Sequence, residues 1–435
     1  MSVGFTVEED DVMFAKGYVL DESVLGKVFY PKSGIRIQDK IVVKYVDYPW
    51  ISCFEVEGIE ILKQSKGKKI VVAGHLCADI TPEFLLDHPA KDIKEVLRPG
   101  KLLQVGPVTT SVGGAVGNTG LALKKLYSDV ILIGKIADDS FGHIIESIFE
   151  EYGVAGNLIY AENESTSYSI VVAPTGLDRM FLHHAGPNET FCYDDLDFDL
   201  IATADHFHFG YPTVMKELYL NGCSELVRIF QKVKELGLTT SLDMAAVDAN
   251  TEAGKQDWKE SVKNLMPYID FFVPSIEEIA YMIDRDVYDE WNERANGGEV
   301  VAVLDVEKDV KPLADQLIDW GAKCVLLKCG AKGMYLRTAS SEVMSQIGEE
   351  FASWDNISVF EKSYVPDRVL SGAGAGDTSI AAFLKAALEG YPVERCLQLA
   401  AGTGALCVTT YDALSGLLRF DDLIAKIDGG WKKNE

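Results

Sequence analysis

The sequence is short of positive charge and of long apolar runs. Its 435 residues contain 41 lysines and arginines against 67 acidic residues, which gives a formal net charge of -26. A field of that sign repels phosphate backbones and anionic lipid headgroups, so nucleic acid and membrane surfaces are poor candidates as partners. No stretch approaches the roughly 20 consecutive apolar residues that a membrane helix requires.

Paired cysteines and export signals are also missing. The eight cysteines are scattered and include no Cys-x-x-Cys pair, which argues against a zinc site or a disulfide framework. The start of the chain carries Glu8, Glu9, Asp10 and Asp11 and lacks the basic end and apolar centre of a signal peptide. These features predict a protein of the reducing cytoplasm with free thiols.

The chain divides by composition near residue 66. Residues 1–66 mix short β-rich runs with turn residues, and a lysine- and glycine-bearing stretch near 63–69 is typical of a linker. We predict a β-rich N-terminal extension over residues 1–66, to which no chemistry is assigned, and a main domain over residues 67–435. Packing or dimer contact is the favoured interpretation of the extension, with a ligand-binding module as the alternative.

From Lys69 onward, short apolar runs alternate with amphipathic helical patterns. Runs such as Ile70–Ala73, Val130–Ile133 and Cys324–Leu327 are separated by segments with helical spacing. This alternation predicts an α/β fold with a mostly parallel central sheet and helices on both faces. Residues 101–112 and 167–182 instead read as β-strands with turns, which predicts a small accessory sheet.

A glycine-rich loop near the C-terminal end is the sharpest local feature. Residues 371–377 read Ser-Gly-Ala-Gly-Ala-Gly-Asp, and a helical segment follows up to Glu389. A glycine loop that enters a helix presents free backbone N–H groups beside the positive end of the helix dipole, which suits a phosphate. Asp377 at the helix start could accept a proton from an attacking hydroxyl. The structural alternative is a packing loop with a capping aspartate.

Two further glycine-containing turns carry polar side chains. Gly113 and Gly114 precede a helical segment that contains Asn118, whose amide suits sugar hydroxyls. Asp79 follows the first main strand, where the edge of a parallel sheet commonly binds ligands. Taken singly, a turn or capping role is equally good for each. The loop at residues 371–377 lacks the G-x-G-x-x-G spacing of dinucleotide sites, and the chain has no G-x-x-x-x-G-K-[ST] P-loop.

Taken together, the order and spacing of these motifs resemble the ribokinase-like PfkB carbohydrate kinases from about Lys69 to the C-terminus. The matching stretches are Gly74–Asp79, Gly113–Asn118, Gly134–Gly142, Thr166–Asn188, Lys328–Gly333 and Gly374–Asp377. The resemblance implies a ribokinase-like central sheet with a small β lid, whose strands would be those near 101–112 and 167–182. It implies ATP-dependent phosphoryl transfer to a small sugar or nucleoside, with Mg²⁺ bridging the ATP phosphates.

The resemblance also implies roles for individual residues. Asp377 would be the catalytic base, and the loop formed by Gly374, Ala375, Gly376 and Asp377 would be the anion hole. The acceptor would contact Asp79, Gly113, Gly114, Asn118 and Arg179, and the nucleotide would contact Lys328, Gly330 and Gly333. Glu278 would hold Mg²⁺ through water. This arrangement requires the Asp377 carboxylate to face a cleft beside the loop.

Three positions depart from the family pattern. Ser275 stands where the metal-associated motif has asparagine, Ser371 replaces a common aspartate, and Lys328 replaces a small hydroxyl residue. Lys328 either aids phosphate binding or points to solvent. A non-catalytic sugar or nucleotide sensor therefore remains the alternative function. The acceptor is not identified, although an unphosphorylated sugar is favoured, and a homodimer is a candidate assembly because family members commonly pair through the lid.

Overall fold

A computed structural model describes residues 13, 18–23, 26–31, 35–48, 51–61, 67–86, 88–154, 157–177 and 180–434. The chain divides into two compact units, Met1–Gly67 and Lys68–Glu435. The described residues of the first unit form two antiparallel strand pairs. These are β1 (Tyr18–Ser23) with β2 (Gly26–Pro31), and β3 (Ile35–Tyr48) with β4 (Ile51–Ile61).

The described residues of the second unit contain fourteen strands. In chain order they are β5 (Lys69–Gly74), β6 (Cys77–Phe84), β7 (Val105–Gly113), β8 (Asp129–Ile133), β9 (Lys135–Ala137), β10 (Ile159–Ala161), β11 (Tyr168–Val172), β12 (Met180–His184), β13 (His206–Gly210), β14 (Thr239–Asp243), β15 (Phe271–Phe272), β16 (Cys324–Lys328), β17 (Gly333–Thr338) and β18 (Ser358–Lys362). β9 and β10 form a short parallel pair of their own.

The central sheet has eight strands in the order β18-β17-β16-β15-β14-β13-β5-β8. The six strands from β16 to β8 are parallel to one another, and β17 and β18 add an antiparallel edge. The predicted ribokinase-like architecture, with a mostly parallel sheet, is confirmed. β17 and β18 were not foreseen as an antiparallel edge, because an apolar strand reads alike in either direction.

Helices cover both faces of this sheet. The described helices of the second unit are α1 (Ile93–Val96), α2 (Gly114–Lys125), α3 (Ser140–Glu151), α4 (Phe198–Ile201), α5 (Lys216–Glu235), α6 (Trp258–Leu265), α7 (Ile276–Ile283), α8 (Arg285–Ala295), α9 (Val300–Val303), α10 (Lys311–Asp319), α11 (Ser341–Met344), α12 (Ala375–Leu388), α13 (Val393–Cys407) and α14 (Phe420–Asp428). No helix in the described part of the chain is both long and apolar enough to cross a membrane.

Alternate residues of β5 belong to two different cores, as a strand buried on both faces requires. Ile70 and Val72 pack in the cluster that contains α12 and α13. Val71 and Ala73 pack in the cluster that contains α5 and α6. The uninterrupted apolar run of this strand is therefore explained by helices on each side of the sheet.

A second sheet of four strands, which we call the lid, has the order β12-β11-β6-β7. β7, β11 and β12 fall near the two segments that the sequence assigned to lid strands. β6 follows β5 after only two residues, so no local pattern indicated that it belongs to another sheet. Its register sets Asp79 opposite Ser111 of β7 on one side and Ser169 of β11 on the other.

Candidate active site

The site begins at the entrance to α12, where the chain turns through Gly374. Gly374 is the N-terminal cap of the helix, with φ of 72°. A side-chain carbon at this position would lie 2.4 Å from the Ala413 Cβ, so only glycine fits. The first-turn amides of α12 have no carbonyl within the helix to which they can donate, although the Ala375 amide reaches the Gly372 carbonyl at 3.4 Å. The helix entrance is therefore suited to an anion.

Asp377, in the first turn of α12, accepts hydrogen bonds from two other elements. The Tyr211 hydroxyl lies 2.8 Å from both carboxylate oxygens. From α2, Asn118 Nδ2 donates to Oδ2 at 3.1 Å, and Thr119 Oγ1 donates to Oδ1 at 3.3 Å. Asp377 is only 4% exposed. The carboxylate thus lies among polar groups rather than open to a cleft as the sequence-based interpretation required, because Tyr211 covers it.

Lys328, the last residue of β16, supplies a cation to the same place. Its Nζ donates to Asp243 Oδ1 at 2.7 Å, and a side-chain carbon at Gly376 would lie 3.6 Å from that Nζ. Burial alone would lower the pKa of Lys328, but the facing carboxylates of Asp243 and Glu278 raise it above its ordinary value. Lys328 is therefore a largely enclosed ammonium beside the start of α12, with a side chain that is 13% exposed, and it does not point to solvent.

Three carboxyl groups surround this one ammonium group. Burial raises the pKa of Asp377, against the opposing effects of Lys328 and of the hydrogen bond from Tyr211. Burial likewise raises the pKa of Asp243 and of Glu278, and in both cases Lys328 opposes the increase. The excess of acidic groups over cations leaves this region suited to an additional positive charge.

Glu278 forms a capping box with Ser275 at the start of α7. Its Oε2 accepts from the Ser275 amide at 2.8 Å, while Ser275 Oγ accepts from the Glu278 amide at 3.2 Å. Ser275 thus caps the helix where the family pattern has asparagine. Within the described residues no cluster of three or more His, Cys, Asp or Glu side chains forms a metal cage. Mg²⁺ is commonly held by one or two carboxylates together with water and substrate phosphates, so Glu278 fits that role.

Four of the five predicted acceptor residues lie close together, where the lid strands β6 and β7 adjoin α2. Gly113 ends β7, Gly114 opens α2, and Asn118 lies one turn later. A side-chain carbon at Gly113 would lie 2.3 Å from Asp79 Oδ2, so glycine leaves room for that carboxylate. Burial raises the pKa of Asp79 to about 6, and the nearby Asp377 charge raises it as well. Arg179, assigned to the acceptor from the sequence, lies outside the described residues.

The predicted nucleotide residues lie at the end of β16, which is Lys328, and in the turn that follows it. Gly330, with φ of 53°, and Gly333, with φ of 135°, shape the turn from β16 into β17. The end of α13 reaches the glycine loop, where Cys407 Sγ donates to the Ala373 carbonyl at 3.3 Å. The turn after β16 therefore follows directly from Lys328, and α13 adjoins the entrance to α12.

Sequence reasoning missed two residues at the carboxyl edge of the sheet. Tyr211 follows β13 and Asp243 ends β14, and both contact the residues described above. A usable signal was present, since parallel strands end at one edge and these polar residues follow apolar strands. A third omission is His75, whose Nε2 lies 3.4 Å from Nε2 of His183 in the lid.

Comparison with known proteins identifies the family. The pattern of the pfkB family carbohydrate kinases matches residues 68–418. The chain therefore belongs to this family, and by family it is a carbohydrate kinase. An uncharacterized sugar kinase of Archaeoglobus fulgidus is 25% identical over 303 residues, which cover 69% of this chain and 100% of that protein.

Solved structures share the fold at lower identity. Arabidopsis thaliana ribokinase, complexed with ribose and ATP, is 20% identical, with a TM-score of 0.58 over 82% of this chain and 98% of that one. A putative ribokinase II from E. coli, in complex with ATP and Mg²⁺, is 17% identical, with a TM-score of 0.59 over 83% of this chain and 99% of that one. The fold of the second unit is thus that of ribokinases.

Proposed function

We propose that the protein transfers the γ-phosphoryl group of ATP to a hydroxyl of a small sugar, with Asp377 as the general base. The observation that carries the proposal is the position of its carboxylate. It lies in the first turn of a helix with a glycine-built entrance, beside the Lys328 ammonium and in contact with Asn118. A base next to an anion site is what phosphoryl transfer to an alcohol requires.

The chain's own residues divide the work. Asp79 and Asn118 hold the acceptor hydroxyls, with the room that Gly113 and Gly114 provide. Asp377 takes the proton as the acceptor oxygen forms its bond to phosphorus and the bond to ADP breaks. The anion hole, built on Gly374 from the amides of Ala375, Gly376 and Asp377, stabilises the charge on the transferring group together with Lys328. Exclusion of water by the lid favours the sugar as acceptor.

The nucleotide is proposed to lie along Lys328, Gly330, Gly333 and the end of α13. This assignment rests on the adjacency of that turn to the entrance of α12 and on the ATP complexes of the structural relatives. Glu278 would hold Mg²⁺ through water, where the surplus of carboxylates over ammonium groups favours a cation. When bound, the ion would neutralise charge on the phosphates.

An unphosphorylated acceptor fits the lid better than a sugar phosphate. The four lid strands contain neither lysine nor arginine, whereas recognition of a phosphate commonly uses such cations. A nucleoside remains the second acceptor class, and Arg179 remains a proposed contact.

The proposal also includes the location, the assembly and the domain division of the protein. We propose that it is cytoplasmic and that it forms a homodimer. We also propose an extension over residues 1–66 and a kinase domain over residues 67–435.

A non-catalytic sugar or nucleotide sensor is the second candidate, because Tyr211 covers the base and Ser275 replaces the metal-associated asparagine. Coupled detection of ADP release with sugars and nucleosides distinguishes the two functions. Turnover on a sugar with a measurable KM supports the kinase. Thermal stabilisation by the same compounds without ADP release would instead establish the sensor.

Asp377→Asn tests the assigned base. The variant should lower kcat about 10²–10⁴-fold, because amide nitrogen and oxygen cannot take the acceptor proton. Its KM for ATP should change little, since the helix entrance is retained. Asp194→Asn, at a surface carboxylate whose side chain is 81% exposed, is the control and should retain full activity. Undiminished turnover by Asp377→Asn would remove this residue from the catalytic step.

A further inference from the structure

Tyr211 makes the same contact with the proposed base that an acceptor alcohol would make. Its hydroxyl lies 2.8 Å from Oδ1 and 2.8 Å from Oδ2 of Asp377. A hydroxyl that is about to attack phosphorus must also donate to this carboxylate at hydrogen-bond distance. Since Asn118 and Thr119 already approach the same two oxygens, the carboxylate is crowded until one donor leaves.

The backbone of Tyr211 is held in a conformation that bulky residues rarely adopt. Its φ of 66° and ψ of 39° lie in the left-handed region, directly after β13. The Tyr211 amide donates to the Asp243 carbonyl at 3.2 Å, which ties the turn to the neighbouring strand. Unusual backbone geometry of this kind persists where the surroundings impose it, and it is frequent at functional sites. Here it directs the phenol at the base.

From these contacts we propose that Tyr211 is a positioning residue that occupies the acceptor's place on Asp377 until a sugar displaces it. The inference rests on the proposed function of Asp377. While the phenol bridges both oxygens, water has no free position on the base from which it could attack ATP. When the acceptor binds, its hydroxyl replaces the phenol on one oxygen and donates the proton there. Tyr211 thereby directs phosphate to the sugar instead of to water.

Two histidines connect the lid to the Tyr211 side chain through a series of contacts. The Tyr211 ring lies 6.2 Å, between centroids, from the ring of His75. His75 in turn contacts His183 of β12, whose Nδ1 lies 3.0 Å from Ser169 Oγ. Ser169 is paired with Asp79 in the lid sheet. An acceptor that binds Asp79 therefore contacts the first residue of a series that continues through Ser169 and the two histidines and ends at Tyr211.

The hydrogen bond from Tyr211 also influences the titration of the base. It stabilises the charged carboxylate and so lowers the pKa of Asp377 against the increase caused by burial. Loss of the phenol should raise that pKa further. Other titratable or charged groups also face Asp377 or Tyr211 from the surrounding elements, namely Asp79, Asp243, Glu278, Lys328 and His75. A Tyr211 variant retains all of these side chains.

Tyr211→Phe separates this role from a purely structural one. Acceptor-independent ADP release should rise about tenfold relative to sugar phosphorylation, because one hydrogen bond to a charged group is lost and water gains access. The acid limb of the kcat/KM profile for the sugar should move up by about one pH unit. Tyr335→Phe is the matched control, since it removes a buried phenol that bonds Ser358 Oγ at 2.7 Å, and it should change neither quantity.

Replacement of Tyr211 by 3-fluorotyrosine gives a prediction of opposite sign in a protein that keeps the ring. The stronger donor should move the acid limb to lower pH. Tyr211→Asn is a third variant that suits the left-handed backbone and should behave like Tyr211→Phe. The inference is overturned, while the proposed function stands, if the wild type phosphorylates a sugar but the variants behave like it. That means an unchanged ratio of acceptor-independent ADP release to sugar phosphorylation and an unchanged acid limb of the kcat/KM profile. If the wild type phosphorylates no sugar, the proposed function fails first.

Discussion

At the scale of single residues, Asp79 and Asp377 are two carboxylates for which we propose different roles. Asp377 was recognisable from the glycine loop before it, and Asp79 from its place after a strand. Tyr211 belongs to no motif, because its proposed role depends on a contact with a residue 166 positions away in the chain. Local patterns therefore pointed to the proposed base and to the proposed acceptor turns, whereas contacts made only by the folded chain revealed the groups that donate hydrogen bonds to Asp377.

Asp79→Asn tests the acceptor contact at this scale. The variant should raise KM for the sugar and leave KM for ATP unchanged, because Asp79 lies on the lid side of the site. In the wild type, KM for the sugar should rise as the pH falls through about 6, the pKa to which burial raises this group, since its charged form exists only above that value. The variant should lack this titration. Equal KM values at neutral pH would exclude Asp79 from binding.

At the scale of elements, the start of α12 depends on Gly374. Its substitution would introduce both a steric clash with Ala413 and the energetic penalty of a left-handed backbone. The positions of strands β5, β8 and β16 followed from their short apolar runs. The lid was harder to predict in full. The chain passes from β5 of the central sheet to β6 of the lid within two residues, and the composition does not change there. The antiparallel direction of β17 and β18 was equally unpredictable, because it depends on the strands with which they pair and not on their own sequence.

Gly374→Ala should displace the entrance to α12. The added methyl group would sit 2.4 Å from the Ala413 Cβ at φ of 72°, so the first-turn amides must move and kcat should fall at least about tenfold. Gly390→Ala is a matched control at the other end of the helix. Its φ is 79° with nothing within 4 Å, so it carries the left-handed penalty of about 1–2 kcal/mol alone. Equal kcat values for the two variants would argue against an anion hole here.

At the scale of the whole molecule, buried charge contributes to stability away from the site. Asp270, which is fully buried, accepts hydrogen bonds from Lys234 at 2.7 Å and from the Thr240 amide at 2.9 Å, and it also pairs with Lys323. Burial would raise the pKa of Asp270, but the two lysines lower it below its ordinary value. This stabilisation is complete above the unfolded pKa and is lost as pH falls through the lower folded pKa.

Asp270→Asn should lower the free energy of unfolding by about 3 kcal/mol at pH 7, because two lysines lose their buried partner. Urea denaturation measures the change, which should shrink in acid as the wild-type carboxylate takes up its proton. Asp194→Asn, whose exposed carboxylate lies 3.7 Å from Arg228, should change stability by less than about 1 kcal/mol. A similar effect of both variants would refute a stabilising role for the Asp270 ion pairs.

The bond from Asn118 to Asp377 joins positions 259 residues apart in sequence. Loop closure over such a distance is entropically costly and comes late in assembly. A ribosome-bound chain that has already formed β5, the lid and α2 would therefore possess the proposed acceptor residues without the proposed base. Catalytic competence should appear only once α12 has docked, so partly synthesised chains cannot consume ATP through this carboxylate.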